Sequence, residues 1–143
     1  MNVASLLATK GRDVATINQE RSVHDAVAML RERGIGALVV VGGTGPLTGI
    51  LSERDIVRAF AREGAAALDL RVAALMSTAV TTCQESTTMN ELMSTMTDKR
   101  IRHVPVVEGG LLVGLVSIGD VVKARVNELE HEKRDLLEYV SAR

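Results

Sequence analysis

Residues 49–57 read GILSERDIV, and residues 114–122 read GLVSIGDVV. Both segments contain a glycine, two apolar residues, a serine, two variable residues, an aspartate and two more apolar residues. The serine and the aspartate recur 65 positions later, which pairs Ser52 with Ser117 and Asp55 with Asp120. A Ser-x-x-Asp sequence is typical of a helix N-terminus, where the serine caps free backbone N–H groups. Its recurrence indicates either two equivalent helix starts or two equivalent binding sites.

The repeat extends well beyond this motif. Residues 22–41 align with residues 88–107, and their apolar positions coincide. Each half therefore predicts the order strand, helix, strand, turn, strand, helix, with first strands at residues 13–17 and 79–83. The helix that follows Asp120 is predicted to continue into the tail, where apolar residues alternate with charges in an amphipathic pattern.

Composition limits the class of protein. Of the 143 residues, 46% are hydrophobic and 24% charged, which is typical of a globular chain. A net charge of −1 and an aromatic content of 1% argue against nucleic acid and against an acidic membrane surface as partners. The single cysteine, Cys83, excludes an internal disulfide and is expected to be a packing residue. No apolar run is long enough to span a membrane and no signal peptide is apparent, so we expect a cytoplasmic protein.

The doubled unit, with GILSERDIV and GLVSIGDVV preceded by IGALVVV and IRHVPVV, resembles a pair of CBS domains. The resemblance implies an α/β fold, a tandem CBS pair of two βαββα-type repeats related by a pseudo-twofold axis, with a C-terminal amphipathic helix. It divides the chain into a first CBS repeat over 3–62, a linker over 63–71, a second CBS repeat over 72–126 and a helical tail over 127–143.

In this family the motif aspartate binds ribose hydroxyls, and the motif serine with its helix N-terminus faces phosphate. The resemblance also implies crossed sites, in which the motif of one half meets the first two strands of the other. One predicted nucleotide site comprises Ser52, Arg54, Asp55, Val80, Thr81, Ile101, Arg102 and His103. The second comprises Ser117, Gly119, Asp120, Val14, Ala15, Ile35, Gly36 and Ala37. A carboxylate suits a cis-diol, and a helix N-terminus suits an anion.

The two predicted sites differ in charge. Arg102 and His103 stand where the first half has Gly36 and Ala37, and Arg54 stands where the second half has Gly119. We therefore expect the Asp55 site to be more basic and to suit a polyphosphate or a dinucleotide. The Asp120 site should be roomier and less charged. Protonation of His103 at about pH 6–7 is expected to strengthen phosphate binding.

Two functions remain open on the sequence. The first is a non-enzymatic regulatory sensor of adenine nucleotides (AMP, ADP, ATP or NAD(H)) that signals occupancy to an unidentified regulated protein. The alternative is a structural dimerisation module without ligand, in which both Ser-x-x-Asp motifs are plain helix caps. No nucleophile–base arrangement or metal-ligand cluster supports an enzyme or a metal cofactor. A homodimer is expected, through apolar helix residues Val57, Phe60, Val121 and Val122, with added contacts from residues 126–140.

Overall fold

The computed structural model describes residues 1–142, so Arg143, the last residue of the predicted tail, lies outside the described residues. The first half contains α1 (Val3–Lys10), β1 (Thr16–Asn18), α2 (Val23–Arg33), β2 (Ala37–Val41), β3 (Gly49–Ser52) and α3 (Glu53–Glu63). A 3-10 helix (Gly64–Asp69) occupies most of the predicted linker. The second half contains α4 (Val72–Leu75), α5 (Met89–Lys99), β4 (His103–Glu108), β5 (Leu111–Ser117) and α6 (Ile118–Ser141).

The sheet of the first half has the strand order β1-β2-β3. β1 runs parallel to β2, and β2 runs antiparallel to β3, with Ala37 opposite Ser52. β2 is buried on both faces, as its continuous apolar sequence predicts. The register places the start of β2 directly beside the motif serine at the end of β3.

The predicted strand at residues 79–83 is wrong, because only Cys83 forms a β-bridge, to Val106. In the first half the N–H of Val39 donates to the carbonyl of Ala15 at 3.0 Å, which adds a bond ahead of β1. Pro105 stands in the position of Val39 and has no N–H, so the equivalent bond to Thr81 cannot form. The second sheet therefore contains only β4 and β5.

The two halves exchange their leading helices. Val3, Leu6 and Leu7 of α1 are buried in the core cluster of the second half, whereas Val72 of α4 belongs to the cluster of the first half. Backbone hydrogen bonds follow the same exchange: Val3 N donates to Thr87 O, and Val72 N donates to Arg21 O. Packing therefore groups the chain differently from its order in sequence, and each core needs a segment from the other half.

The motif glycines explain how closely these exchanged segments approach. A Cβ atom on Gly49 would lie 2.7 Å from the carbonyl oxygen of Ser77, which follows α4. A Cβ atom on Gly114 would lie 2.7 Å from Leu7 Cδ2 on α1. Each motif begins with glycine because a segment from the other half packs directly on its backbone.

The long helix α6 is partly buried in its first turns and exposed in its C-terminal part. Val121 and Ala124 are buried, so the expectation that Val121 lies on an exposed apolar face is wrong; it is 1% exposed and belongs to the core. Val122 is exposed, as are the apolar residues of the tail. The predicted continuation of this helix through the tail is confirmed as far as Ser141. No helix within residues 1–142 is both long and apolar enough to cross a membrane.

Candidate functional site

Both Ser-x-x-Asp motifs cap the helices that follow them. Ser52 is the N-cap of α3, and Ser117 is the N-cap of α6. In each motif the serine Oγ accepts a hydrogen bond from the aspartate N–H, and the aspartate Oδ2 accepts one from the serine N–H at 2.9 Å. The caps leave each aspartate Oδ1 without a hydrogen-bond partner among the described residues. Capping and ligand binding are therefore compatible in this geometry.

A cavity of about 290 Å³ lies between the motif of the first half and the second half. It is lined by Arg54, Met96, Thr97, Arg100, Ile101, Arg102 and Ile118. Three predicted members of the Asp55 site therefore meet across the two halves: Arg54, Ile101 and Arg102. Three arginines line one small cavity, which is suited to an anion.

The other predicted members of the Asp55 site do not line this cavity. Val80 and Thr81 lie in the irregular segment before Cys83, where the hydroxyl of Thr81 accepts a hydrogen bond from Lys99 at 3.3 Å. Ser52 and Asp55 are held in the cap next to Arg54. The assignment of these residues to a nucleotide stays a prediction.

The geometry around Asp120 differs from the predicted grouping. Its cavity, about 420 Å³, lies between α1 and α6 and is lined by Met1, Leu6, Thr9, Lys10, Asp120, Lys123, Ala124, Asn127 and Glu128. None of the residues predicted as its partners from the first half lines this cavity. Val14 and Ala15 precede β1, Ile35 and Gly36 precede β2, and Ala37 begins β2. Gly119 lies exposed in the first turn of α6.

Lys10 is a residue of this region that sequence reasoning missed. Its Nζ donates to Asp120 Oδ2 at 2.6 Å and to the carbonyl oxygen of Leu115 at 2.7 Å. Burial raises the pKa of Asp120, but hydrogen bonds from Lys10 and Ser117 outweigh it, and the net pKa is lowered. No sequence signal indicates this pair, because the two residues are 110 positions apart.

Arg100 is the second residue that sequence reasoning missed. It ends α5 in the left-handed conformation (φ 53°), and it is the one non-glycine residue with positive φ among residues 1–142. The first half has Gly34 in the equivalent position, with φ 62°. The sequence did carry a signal for this residue: an arginine stands at a position that favours glycine, next to Ile101 and Arg102 of the predicted Asp55 site.

His103 lies where the two halves meet. It is paired with Ser117 in the sheet, and a Cβ atom on Gly36 of the other half would lie 3.5 Å from its Cε1 atom. Burial lowers the pKa of His103 below its usual value of 6.5; Asp120 and Glu53 oppose this, and Lys10 and Arg102 add to it. The lowered pKa disfavours a positive charge on His103, and the effect of its protonation on phosphate binding stays a prediction. The arginines carry the charge of the cavity.

The lowered pKa predicts a pH dependence of stability. Because the folded chain binds this proton at a lower pH than the unfolded chain does, the contribution of neutral His103 to stability is present above about pH 6.5 and decreases as the pH falls below it. As the pH is lowered from about 7.5 to about 5.5, we expect the free energy of unfolding of His103→Gln to fall less than that of the wild type, as measured by urea unfolding. His24→Gln on the exposed face of α2 is the control. Equal pH slopes for wild type and His103→Gln would contradict this assignment.

Comparison with known proteins gives a consistent result. The family model of the CBS domain matches residues 4–62 and 72–127. The chain is 38% identical over 123 residues to the mitochondrial CBS domain-containing protein CBSX3 of Arabidopsis thaliana; the match covers 83% of this chain and 60% of the length of that relative.

Solved structures agree in fold. A CBS-domain-containing protein of Agrobacterium tumefaciens is 48% identical, with a TM-score of 0.84, and the match covers 87% of this chain and 92% of that one. The CBS domain pair of protein MJ0100, solved in complex with 5′-methylthioadenosine and S-adenosyl-L-methionine, is 25% identical, with a TM-score of 0.76 and coverage of 87% and 98%. With the family model matching both repeats, this chain belongs to the CBS-domain family, as a tandem CBS pair.

Proposed function

We propose that this chain is a non-enzymatic sensor that binds an adenine nucleotide between its two CBS repeats and signals occupancy to a partner protein. The observation that carries the proposal is the arginine-lined cavity beside the Asp55 motif, to which both repeats contribute residues. Its volume is near the lower end of small-ligand sites, about 300 Å³. The adenosine-containing ligands bound by the CBS domain pair of MJ0100 support the choice of ligand class.

The cavity beside the Asp55 motif, which we call the Asp55 cleft, offers groups that complement the phosphate and the ribose of a nucleotide. The N-terminus of α3 presents the positive end of an 11-residue helix, which favours a phosphate. Asp55 has one carboxylate oxygen outside the cap, available to a ribose hydroxyl. Arg54, Arg100 and Arg102 neutralise further negative charge. This arrangement favours AMP, ADP, ATP or NAD(H), with preference for ligands that carry more than one phosphate.

Titration calorimetry of the purified chain with AMP, ATP, NAD and adenosine tests the proposal. We expect heat of binding for AMP and tighter binding of ATP, with adenosine weakest because it has no phosphate for the arginines. An absence of binding for all four compounds at millimolar concentration would overturn the proposed function.

Arg100 provides a test of the charge argument. Replacing Arg100 by glycine relieves a left-handed backbone, so we expect a gain of about 1 kcal/mol in the free energy of unfolding. The same change removes a cation from the cavity and should weaken ATP binding about two- to fivefold more than AMP binding. Urea unfolding and calorimetry measure the two effects separately.

Arg100→Lys is the matched control, since it keeps both the positive charge and the strained backbone. This variant should keep the wild-type stability and most of the ATP preference. A glycine variant that binds ATP as wild type does would remove Arg100 from the site.

A ligand-free dimerisation module is the alternative function, and one observation favours it. Lys10 already pairs with the motif carboxylate of Asp120, so the charge of that carboxylate is neutralised without a ligand. Calorimetric titration with the four compounds decides between the two functions.

We propose that the chain forms a homodimer. Val122, Val126, Leu129, Leu136 and Val140 are each 47–66% exposed and follow a heptad spacing along α6, with Lys133 in the remaining core position. We call this strip the α6 seam. Val57 and Phe60 add exposed apolar surface on α3. A second copy of the chain can cover such a strip with its own, since identical heptads match each other in length and spacing.

We expect light scattering at micromolar concentration to give a dimer, and Leu136→Arg to shift the mass toward the monomer because a charge in the seam must be desolvated. Glu138→Arg, which lies outside the seam on the same helical turn, should leave the dimer intact. A monomeric wild-type chain would contradict the proposal.

The proposal places the sensor in the cytoplasm, where Cys83 stays a free thiol. Burial raises the pKa of this thiol to about 11, so Cys83 is held in its unreactive protonated form. We expect the regulated protein to contact the surface near the two clefts or the α6 seam, because ligand binding would change which groups are exposed there.

A further inference from the structure

We infer that Lys10 occupies the ribose-binding position of the Asp120 cleft, so that one chain binds one adenine nucleotide, at the Asp55 cleft. The inference rests on the proposed function and adds a residue that controls which cleft fills. It is carried by the direct contact of Lys10 with the motif aspartate.

Lys10 is held in place both at its backbone and at its ammonium group. It is the last residue of α1, a helix whose apolar side is buried in the second half. Its ammonium group lies between Asp120 Oδ2 and the carbonyl oxygen of Leu115, at 2.6 and 2.7 Å. The side chains of Lys10 and Asp120 are only 30% and 24% exposed, so the pair is partly shielded from water. Such a pair is stronger than an ion pair on an open surface.

The contact places a cation on a carboxylate oxygen that already accepts from the helix cap. Asp120 Oδ2 accepts from Ser117 N–H as well as from Lys10, which leaves Oδ1 alone for a ligand. A ribose diol bound to both carboxylate oxygens must displace the ammonium group, and that exchange separates two opposite charges.

The Asp55 cleft has no equivalent of Lys10. Asp55 Oδ2 accepts from the backbone N–H and the hydroxyl of Ser52, and no cation contacts this carboxylate within the described residues. The helix equivalent to α1 is α4, which ends at Leu75 after four residues, whereas α1 has eight. The extra turn of α1 carries Lys10 to the carboxylate. The two clefts therefore differ in access to ribose.

The test measures AMP binding by calorimetry in the Asp55→Asn background, where only the Asp120 cleft retains its carboxylate. We expect Asp55→Asn alone to retain only the weakened AMP binding of the Asp55 cleft, and Asp55→Asn with Lys10→Met to bind AMP about tenfold more tightly than Asp55→Asn alone. Asp55→Asn with Lys123→Met is the matched control, because Lys123 lines the same cavity without contacting Asp120. The single variant Lys10→Met should bind two AMP per chain, and wild type one.

Circular dichroism checks that each variant is folded, and Lys10→Gln replaces Lys10→Met if the latter is not. Two equal AMP sites in wild type would overturn the inference and leave the proposed function intact. The inference is likewise overturned if Lys10→Met fails to increase binding, or if Lys123→Met increases it equally. If neither wild type nor any folded variant binds AMP, the proposed function fails, and this inference fails with it.

Discussion

We expect the replacement of Asp55 by asparagine to weaken AMP binding about 10- to 100-fold, since a hydrogen bond to a charged group contributes about 1.5–3 kcal/mol. The variant removes the charge but keeps an oxygen that can accept from Ser52, so the cap of α3 is retained. Calorimetry with AMP measures the loss. An analogue without ribose hydroxyls should bind the wild type with a similar deficit.

The chain supplies a matched control for this substitution. Ser22 and Asp25 form another Ser-x-x-Asp arrangement at the start of α2, where the Asp25 N–H donates to Ser22 Oγ at 3.1 Å. Asp25→Asn changes the same chemical group in a helix cap outside both cavities. It should bind AMP as wild type does. If Asp55→Asn also binds AMP normally, the ribose assignment is wrong.

Replacing Leu7 by alanine lowers the free energy of unfolding by about 2–5 kcal/mol, the range for a leucine truncated in a packed core. Leu7 is 1% exposed and packs on Gly114, within the cluster that includes Leu92 and Val116. The loss falls on the second half, although Leu7 stands near the start of the chain. Urea unfolding monitored by circular dichroism measures it.

Thr9→Ala on the exposed side of the same helix is the control, and it should change the free energy of unfolding by less than about 0.5 kcal/mol. A similarly small effect of Leu7→Ala would show that α1 does not complete the second core. Because α1 also carries Lys10, a loosened helix should release the Asp120 carboxylate.

The repeat, the element order and the helix starts followed from sequence because they rest on local signals. Ser52 and Ser117 cap helices three residues before Asp55 and Asp120, and that spacing is visible without any tertiary information. The buried strand β2 follows from five consecutive apolar residues. The CBS family itself is carried by the doubled motif, and the family model confirms it.

Local signals failed where a distant residue decides the outcome. Residues 79–83 have the composition of a strand, but their pairing partner contains Pro105, which has no N–H to donate. Val121 and Val122 are identical in type, and only the packing of α6 on the second core makes one buried and the other exposed. His103 is a candidate phosphate ligand in sequence, but its partial burial between the halves lowers its pKa.

The sequence by itself determined a doubled α/β chain with two capped helix starts, since these depend on residue types at fixed spacings. Only the tertiary structure decided that α1 completes the second core and that Lys10 reaches Asp120. It also decided that Arg100 joins Arg54 and Arg102 around one cavity. These contacts join parts of the chain that are far apart in sequence. They form because the two packed halves exchange helices, and no local pattern predicts them.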